Sequence, residues 1–173
     1  MNQRLFLVGP MGAGKSAVGK RLAHKLACDF VDCDSYIEQR TGVDIAYIFE
    51  REGERGFRKR ECQAIQTLTQ RDHTVVATGG GVVMDPANRS ALVARGTVIY
   101  LHASVAQQYE RVRHGSHRPL LDDPDPQAVL QRLFDVRDPL YRSIADLTIA
   151  TDGARVPDVA DNIARVLNGE CNQ

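Results

Sequence analysis

Residues Gly9 to Ser16 read GPMGAGKS, which satisfies GxxxxGK[ST], and the chemistry this spacing can perform is the holding of a triphosphate. Its glycines let the backbone curl until successive N–H groups face inward. A helix beginning at Ser16 adds further N–H donors and the positive end of its dipole. Lys15 then supplies a point charge for the β- and γ-phosphates, and the Ser16 hydroxyl is placed to coordinate Mg²⁺. Gly12, Ala13, Gly14, Lys15, Ser16 and Ala17 are the expected nucleotide contacts. The motif says nothing about the acceptor. A guanine-reading NKxD, a DxxG switch and an LSGGQ-like signature are all absent from the chain, which leaves small-molecule kinase as the leading class.

Two other stretches carry chemistry. FVDCDSYIE places Asp32 and Asp34 just past an apolar run, where residues i and i+2 of an extended segment point the same way. Two carboxylates beside a phosphate site suggest divided labour, one serving Mg²⁺ and the other hydrogen-bonding the attacking hydroxyl. Capping of the following helix is the competing reading. ATGGGVV places Gly79, Gly80 and Gly81 consecutively, with no side chain to pack, as expected where backbone must approach a ligand closely or turn tightly. That strand lacks a terminal Asp, which favours Asp32 as the carboxylate for magnesium.

The elements that must position these groups follow from short apolar runs alternating with stretches of helical period, the pattern of βαβ units and a mostly parallel sheet. LFLV (5–8), DFVDC (29–33), TVVAT (74–78), TVIYLH (97–102) and DLTIA (146–150) are the five expected strands. Ser16–Ala27, Tyr47–Gln70, Pro86–Arg95, Val105–Arg113, Pro126–Ile144 and Pro157–Leu167 space apolar residues at three and four and are the expected helices. The long connection from Asp34 to Gln70 reads as a helical insertion. RHGSHRPLLDDPDP, from Arg113 to Pro126, reads as a mobile surface loop.

Composition narrows the classes. The 173 residues carry 22 Lys plus Arg against 22 Asp plus Glu, so no basic excess is available to neutralise a nucleic-acid backbone. No apolar run approaches the roughly 20 residues of a membrane span, and the N-terminus lacks a signal-peptide pattern, so a cytoplasmic protein is expected. Cys28, Cys33, Cys62 and Cys171 have neither metal nor disulfide spacing and are expected to be reduced. His114 and His117 share a polar segment without zinc-like neighbours.

The order GPMGAGKS, FVDCDSYIE, GERGFRKRE, ATGGGVV, HRPLL and VRDPLYRSIAD resembles the shikimate kinase family across nearly the whole chain. The resemblance implies a P-loop small-molecule kinase of the nucleoside monophosphate kinase-like fold. The architecture would be a three-layer αβα domain over 1–173 with a five-stranded parallel sheet, an acceptor-binding insertion at about 34–61 and a lid at about 113–125. It implies transfer of the ATP γ-phosphoryl group, with Mg²⁺, to the 3-hydroxyl of shikimate by a monomer. Asp34 would bind the ring hydroxyls and accept the proton. Arg58 and Arg137 would bind the carboxylate, whose planar match to guanidinium adds orientation to attraction. Gly79, Gly80 and Gly81 would contact the acceptor, and the lid residue Arg118 the moving phosphoryl group. Arg111 would lie near adenine, with Arg155 a further nucleotide candidate. A gluconate-type kinase and a catalytically inactive nucleotide-gated binding protein are the alternatives; retention of Lys15, Ser16, Asp32, Asp34 and Arg118 argues against the second.

Overall fold

A computed structural model describes residues 3–114 and 123–169 of the chain. Its centre is a single sheet of five parallel strands in the order β2-β3-β1-β4-β5, formed by β1 (Arg4–Val8), β2 (Asp29–Asp32), β3 (Thr74–Ala77), β4 (Thr97–His102) and β5 (Leu147–Ala150). The connections are α1 (Lys15–Leu26), α2 (Cys33–Thr41), α3 (Ile45–Leu68), α4 (Pro86–Arg95), α5 (Val105–Val112) and α6 (Pro126–Ile144), with α7 (Val156–Leu167) after the last strand. A short 3₁₀ turn, Val82–Met84, follows the glycine triple.

Strand side chains alternate between two cores because successive residues point to opposite faces. Leu5 and Leu7 of β1, with Ile99 and Leu101 of β4, pack on Val18 and Leu22 of α1 and Ile163 of α7. Phe6 and Val8, with Val98 and Tyr100, pack on the other side with Ile65 of α3, Leu92 of α4 and Tyr141 of α6. Both faces are therefore covered, as an all-parallel sheet requires.

Helix starts are fixed by side-chain caps, each satisfying a backbone donor that the first turn leaves open. Asp44 accepts from Tyr47 N–H at 2.7 Å, Asp85 from Ala87 at 2.7 Å, Ser104 from Gln107 at 3.2 Å and Asp125 from Ala128 at 3.1 Å. Two α-helices start without such a cap: α7, which has Asp158 in its first turn, and α1, which follows Gly14 and has no acidic residue there. The N–H groups of Ser16 and Ala17 have no acceptor among the described residues. This end of α1 is left open to an outside anion.

Gly9 enforces the turn into that end. Its φ is +147°, and a methyl group there would overlap the Leu101 carbonyl oxygen. Gly9→Ala is expected to lower unfolding free energy by about 2 to 4 kcal/mol, the sum of backbone strain and overpacking, and to weaken nucleotide binding. Urea titration and nucleotide calorimetry on the same variant check both effects.

The sequence expectation fails at one connection. Asp32 ends β2 and immediately caps α2, its Oδ1 accepting from Ser35 N–H at 3.1 Å. The helix begins at Cys33, so Asp34 is helical, and the i, i+2 argument for an extended Asp32–Asp34 pair does not hold. The expected capping role is realised for Asp32 alone. The stretch 34–70 divides into α2 and α3 at Gly42, with α3 broken again at Gly53, where φ is 68° and ψ is −176°.

Candidate active site

Parallel register brings the three chemistry-bearing stretches to one edge. Leu7 pairs with Ala77, and Ala77 pairs with Asp32 across β1, β3 and β2. The phosphate loop, the glycine triple and the two aspartates thus leave the sheet side by side at its carboxyl edge, where open α/β sheets bind ligands. A cavity of about 270 Å³ opens there, walled by Gly12, Gly14, Lys15, Ser16 and Ala17, by Asp32 and Asp34, and by Gly79 and Gly80.

At the phosphate end, Lys15 Nζ donates to the Gly9 and Pro10 carbonyls at 2.7 and 2.8 Å, so the ammonium spans the mouth of its own loop. Ser16 Oγ donates to Asp32 Oδ2, and Asp32 Oδ1 is the α2 cap. A hydroxyl and a carboxylate in contact form a hard-oxygen donor pair suited to Mg²⁺. No larger cluster of His, Cys, Asp and Glu exists among the described residues. An ion here would take its remaining oxygens from phosphate and water, as Mg²⁺ commonly does. Ala13 does not line the cavity: its methyl is buried in the α1-side core and its N–H donates to the Pro10 carbonyl at 3.3 Å, closing the loop.

At the other end the glycine triple is surrounded by charge. A methyl on Gly79 would stand 3.0 Å from Glu61 Oε2 and 3.4 Å from Asp34 Oδ1. One on Gly80 would stand 3.5 Å from Arg137 Nη1, and one on Gly81 would overlap the Arg58 guanidinium. A side chain is thus excluded at Gly81 by the Arg58 guanidinium and crowded at Gly79 by the Glu61 carboxylate, whereas at Gly80 it would meet ordinary contact. Arg58 donates to Glu61 Oε1 at 2.8 Å and reaches Glu54 at 3.5 Å. Asp34 Oδ1 and Glu61 Oε2 are buried acceptors without a partner among the described residues.

Burial pushes the Asp34 carboxyl above its ordinary pKa, and the charge of Asp32 adds to the rise while Lys15 and Arg58 oppose it. Glu61 is raised by burial too, against the pull of Arg58. In both, desolvation outweighs the neighbouring cations. A buried acceptor with raised proton affinity is what a hydroxyl-binding base requires.

The remaining expected residues lie differently. Arg111 donates to the Gly12 carbonyl at 2.8 Å, to Thr151 Oγ1 at 3.0 Å and to the Thr151 carbonyl at 2.6 Å. It thereby ties the phosphate loop to the turn after β5. Arg155 is turned to solvent, its side chain 80% exposed and paired with Asp158 at 2.8 Å, and it joins none of these groups. Arg118 lies outside the described residues, as do positions 115–122 of the expected lid. Cys28, Cys33 and Cys62 are free thiols, while Cys171 lies outside the described residues. Two buried participants had no role in the sequence reading. Glu61 was visible only as the acid three places after Arg58 in GERGFRKRE, and Tyr141 only as the aromatic four places after Arg137.

The profile describing shikimate kinase matches residues 11–168. A shikimate kinase of Halorhodospira halophila (strain DSM 244 / SL1) is 55% identical over 96% of this chain and 94% of its own. One from Legionella pneumophila (strain Corby) is 51% identical over 97% of this chain and 96% of its own. Among solved structures, shikimate kinase from Acinetobacter baumannii in complex with shikimate superposes with a TM-score of 0.94 at 42% identity, covering 100% of this chain and 97% of that one. The chain belongs to the shikimate kinase family.

Proposed function

We propose that the chain transfers the γ-phosphoryl group of ATP to the 3-hydroxyl of shikimate, yielding shikimate 3-phosphate and ADP. The observation that supports this most directly is the convergence of Arg58, Arg137, Asp34 and Glu61 on Gly79–Gly81 beside the phosphate loop. Cations for a carboxylate and acceptors for ring hydroxyls sit within reach of a triphosphate site.

The residues divide the reaction as follows. Backbone donors of Gly12 and of Gly14 to Ala17 bind the phosphates, with Ala13 shaping the loop between them, and Lys15 offsets charge on the group in transit. Ser16 and Asp32 would hold Mg²⁺, which would supply positive charge to offset that of the phosphates. Arg58 and Arg137 clamp the acceptor carboxylate, so that the 3-hydroxyl is held for in-line attack rather than merely bound. Asp34 accepts the hydroxyl proton. Arg118 delivers positive charge from the lid at about 113–125, and Arg111 orders the loop facing the base. Residues 34–61 form the acceptor-binding insertion of a single domain, 1–173. We place this enzyme in the cytoplasm as a monomer acting without nucleic acid or membrane; no helix among the described residues is long and apolar enough to cross a bilayer.

Coupled ADP release with shikimate and with gluconate tests the assignment. Turnover of shikimate in strong preference to gluconate is expected. Equal turnover of gluconate overturns the acceptor, and absence of turnover with either acid favours an inactive binding protein.

Glu61 yields a second test. Glu61→Gln keeps the shape that holds Arg58 but removes a buried charge whose desolvation already works against it. The acceptor KM is expected to rise about tenfold, the loss of one charge-assisted contact's orientation, with the ATP KM unchanged. Thermal denaturation should show a midpoint no lower than that of the wild-type chain at neutral pH.

A further inference from the structure

All three carbonyls of the glycine triple are engaged. Gly79 accepts from Val82 N–H at 3.2 Å and Gly81 from Met84 N–H at 3.0 Å, both within the local turn. The Gly80 carbonyl alone is held from a distance, by the hydroxyl of Tyr141. The N–H groups of Gly79, Gly80 and Gly81 have no acceptor among the described residues, and Gly79 and Gly80 line the cavity.

The donor has little freedom. Tyr141 is fully buried, and its ring stacks on Tyr100 with centroids 4.9 Å apart and an interplanar angle of 30°. Tyr100 in turn donates to Asp138 Oδ1 at 2.6 Å, and Asp138 Oδ2 accepts from Arg142 Nε at 2.8 Å. The ring stack and the Tyr100–Asp138 hydrogen bond thus fix α6 against β4, and the Asp138–Arg142 ion pair within α6 holds the acceptor of that bond in place. Arg137 lies one turn before Tyr141 on the same helix, close enough to the hydroxyl to act on it by charge and hydrogen bonding.

We propose that Tyr141 is a positioning residue for the acceptor, locking the Gly80 peptide and the Arg137 guanidinium into one rigid unit. The physical reason is the planarity of the peptide bond. With the Gly80 carbonyl pinned, the Gly81 N–H in the same plane is pinned as well, at the one carbonyl of the triple that no local turn hydrogen bond holds. The helix that supplies the pin also carries the arginine, so backbone donors and carboxylate clamp keep a fixed separation. This assignment rests on the functional reading above. It adds that recognition of the acceptor depends on a hydroxyl that need not touch it.

Tyr141→Phe removes that hydroxyl and keeps the ring stack. The expected result is a rise of about tenfold in the shikimate KM, the value of roughly one hydrogen bond, with the ATP KM within about twofold. Calorimetric titration with shikimate alone should show the same loss in Kd. Tyr100→Phe, which removes the other hydroxyl of the stack, should lower the thermal midpoint while leaving the ratio of the two KM values unchanged. An active wild-type chain whose Tyr141→Phe variant keeps its shikimate KM and Kd overturns the assignment, as does a variant in which both KM values move together. A wild-type chain inert toward shikimate overturns the functional reading, and this assignment with it.

Discussion

Asp34→Asn is expected to lower kcat by about a hundred- to ten-thousand-fold, the range a positioned base contributes, while raising thermal stability at neutral pH. The two effects have one cause. Asp34 Oδ1 is buried without a hydrogen-bond partner, and burial lifts the carboxyl's proton affinity in the folded chain. Below about pH 4, near the ordinary Asp value, folded and unfolded chains are both protonated and the group is neutral to stability. As pH rises through the unfolded value toward the raised folded one, the folded chain resists ionisation and stability is lost. Asparagine never ionises, so the variant should be more stable than wild type at pH 7, with the difference closing toward pH 4. Steady-state ADP release and thermal melts at the two pH values check the pair of outcomes. A large rate loss accompanied by a lower midpoint at pH 7 would show that Asp34 supports the fold instead of storing strain for the reaction.

The sequence carried most of the architecture because strand periodicity is a local property. TVIYLH spans 97–102 in both sequence and structure, and Pro86–Arg95 and Pro126–Ile144 begin where Asp-Pro marks a helix start. What it obscured was α2. Cys33 and Ile37 are the only fully buried residues among CDSYIEQRT, too few to show a helical period beside the preceding strand. The consequence reached the site, since Asp34 meets the cavity from the first turn of a helix and not from an extended tail.

Site residues separate along the same line. Phosphate-loop glycines are legible because backbone geometry demands them, whereas an arginine's partner depends on the tertiary fold. Arg58 stands in the dense charge of GERGFRKRE and Arg155 between Asp152 and Asp158, and neither setting shows which arginine is buried. Folded, Arg58 is braced by a buried glutamate against Gly81, and Arg155 pairs with Asp158 in solvent. Glu61 shows the limit most clearly. Within GERGFRKRE nothing marks one acid as buried, and its importance lies in contacts with Gly79 and Arg58 that only packing creates.

Arg137→Ala should raise the acceptor KM by about 10- to 150-fold, the range for losing a hydrogen-bonded contact to a charged group, and leave the ATP KM within about twofold. Arg137 is half-buried beside Gly80 and makes no ion pair among the described residues, so its charge is available to an incoming anion. Arg137 meets the phosphate loop at Pro10 and Met11, outside the Gly12–Ala17 stretch expected to hold the phosphates, which is why the nucleotide should sense the change little. Arg137→Lys keeps the charge but loses the planar fork, and it should fall between the two. The attribution to the carboxylate can be isolated from general damage by changing the ligand. With a shikimate analogue bearing a neutral hydroxymethyl group in place of the carboxylate, wild type and Arg137→Ala should differ by less than about threefold in kcat/KM, because the guanidinium has lost its partner in both cases. An Arg137→Ala penalty that persists at full size with the neutral analogue would show that the arginine orders the glycine triple and not the acid.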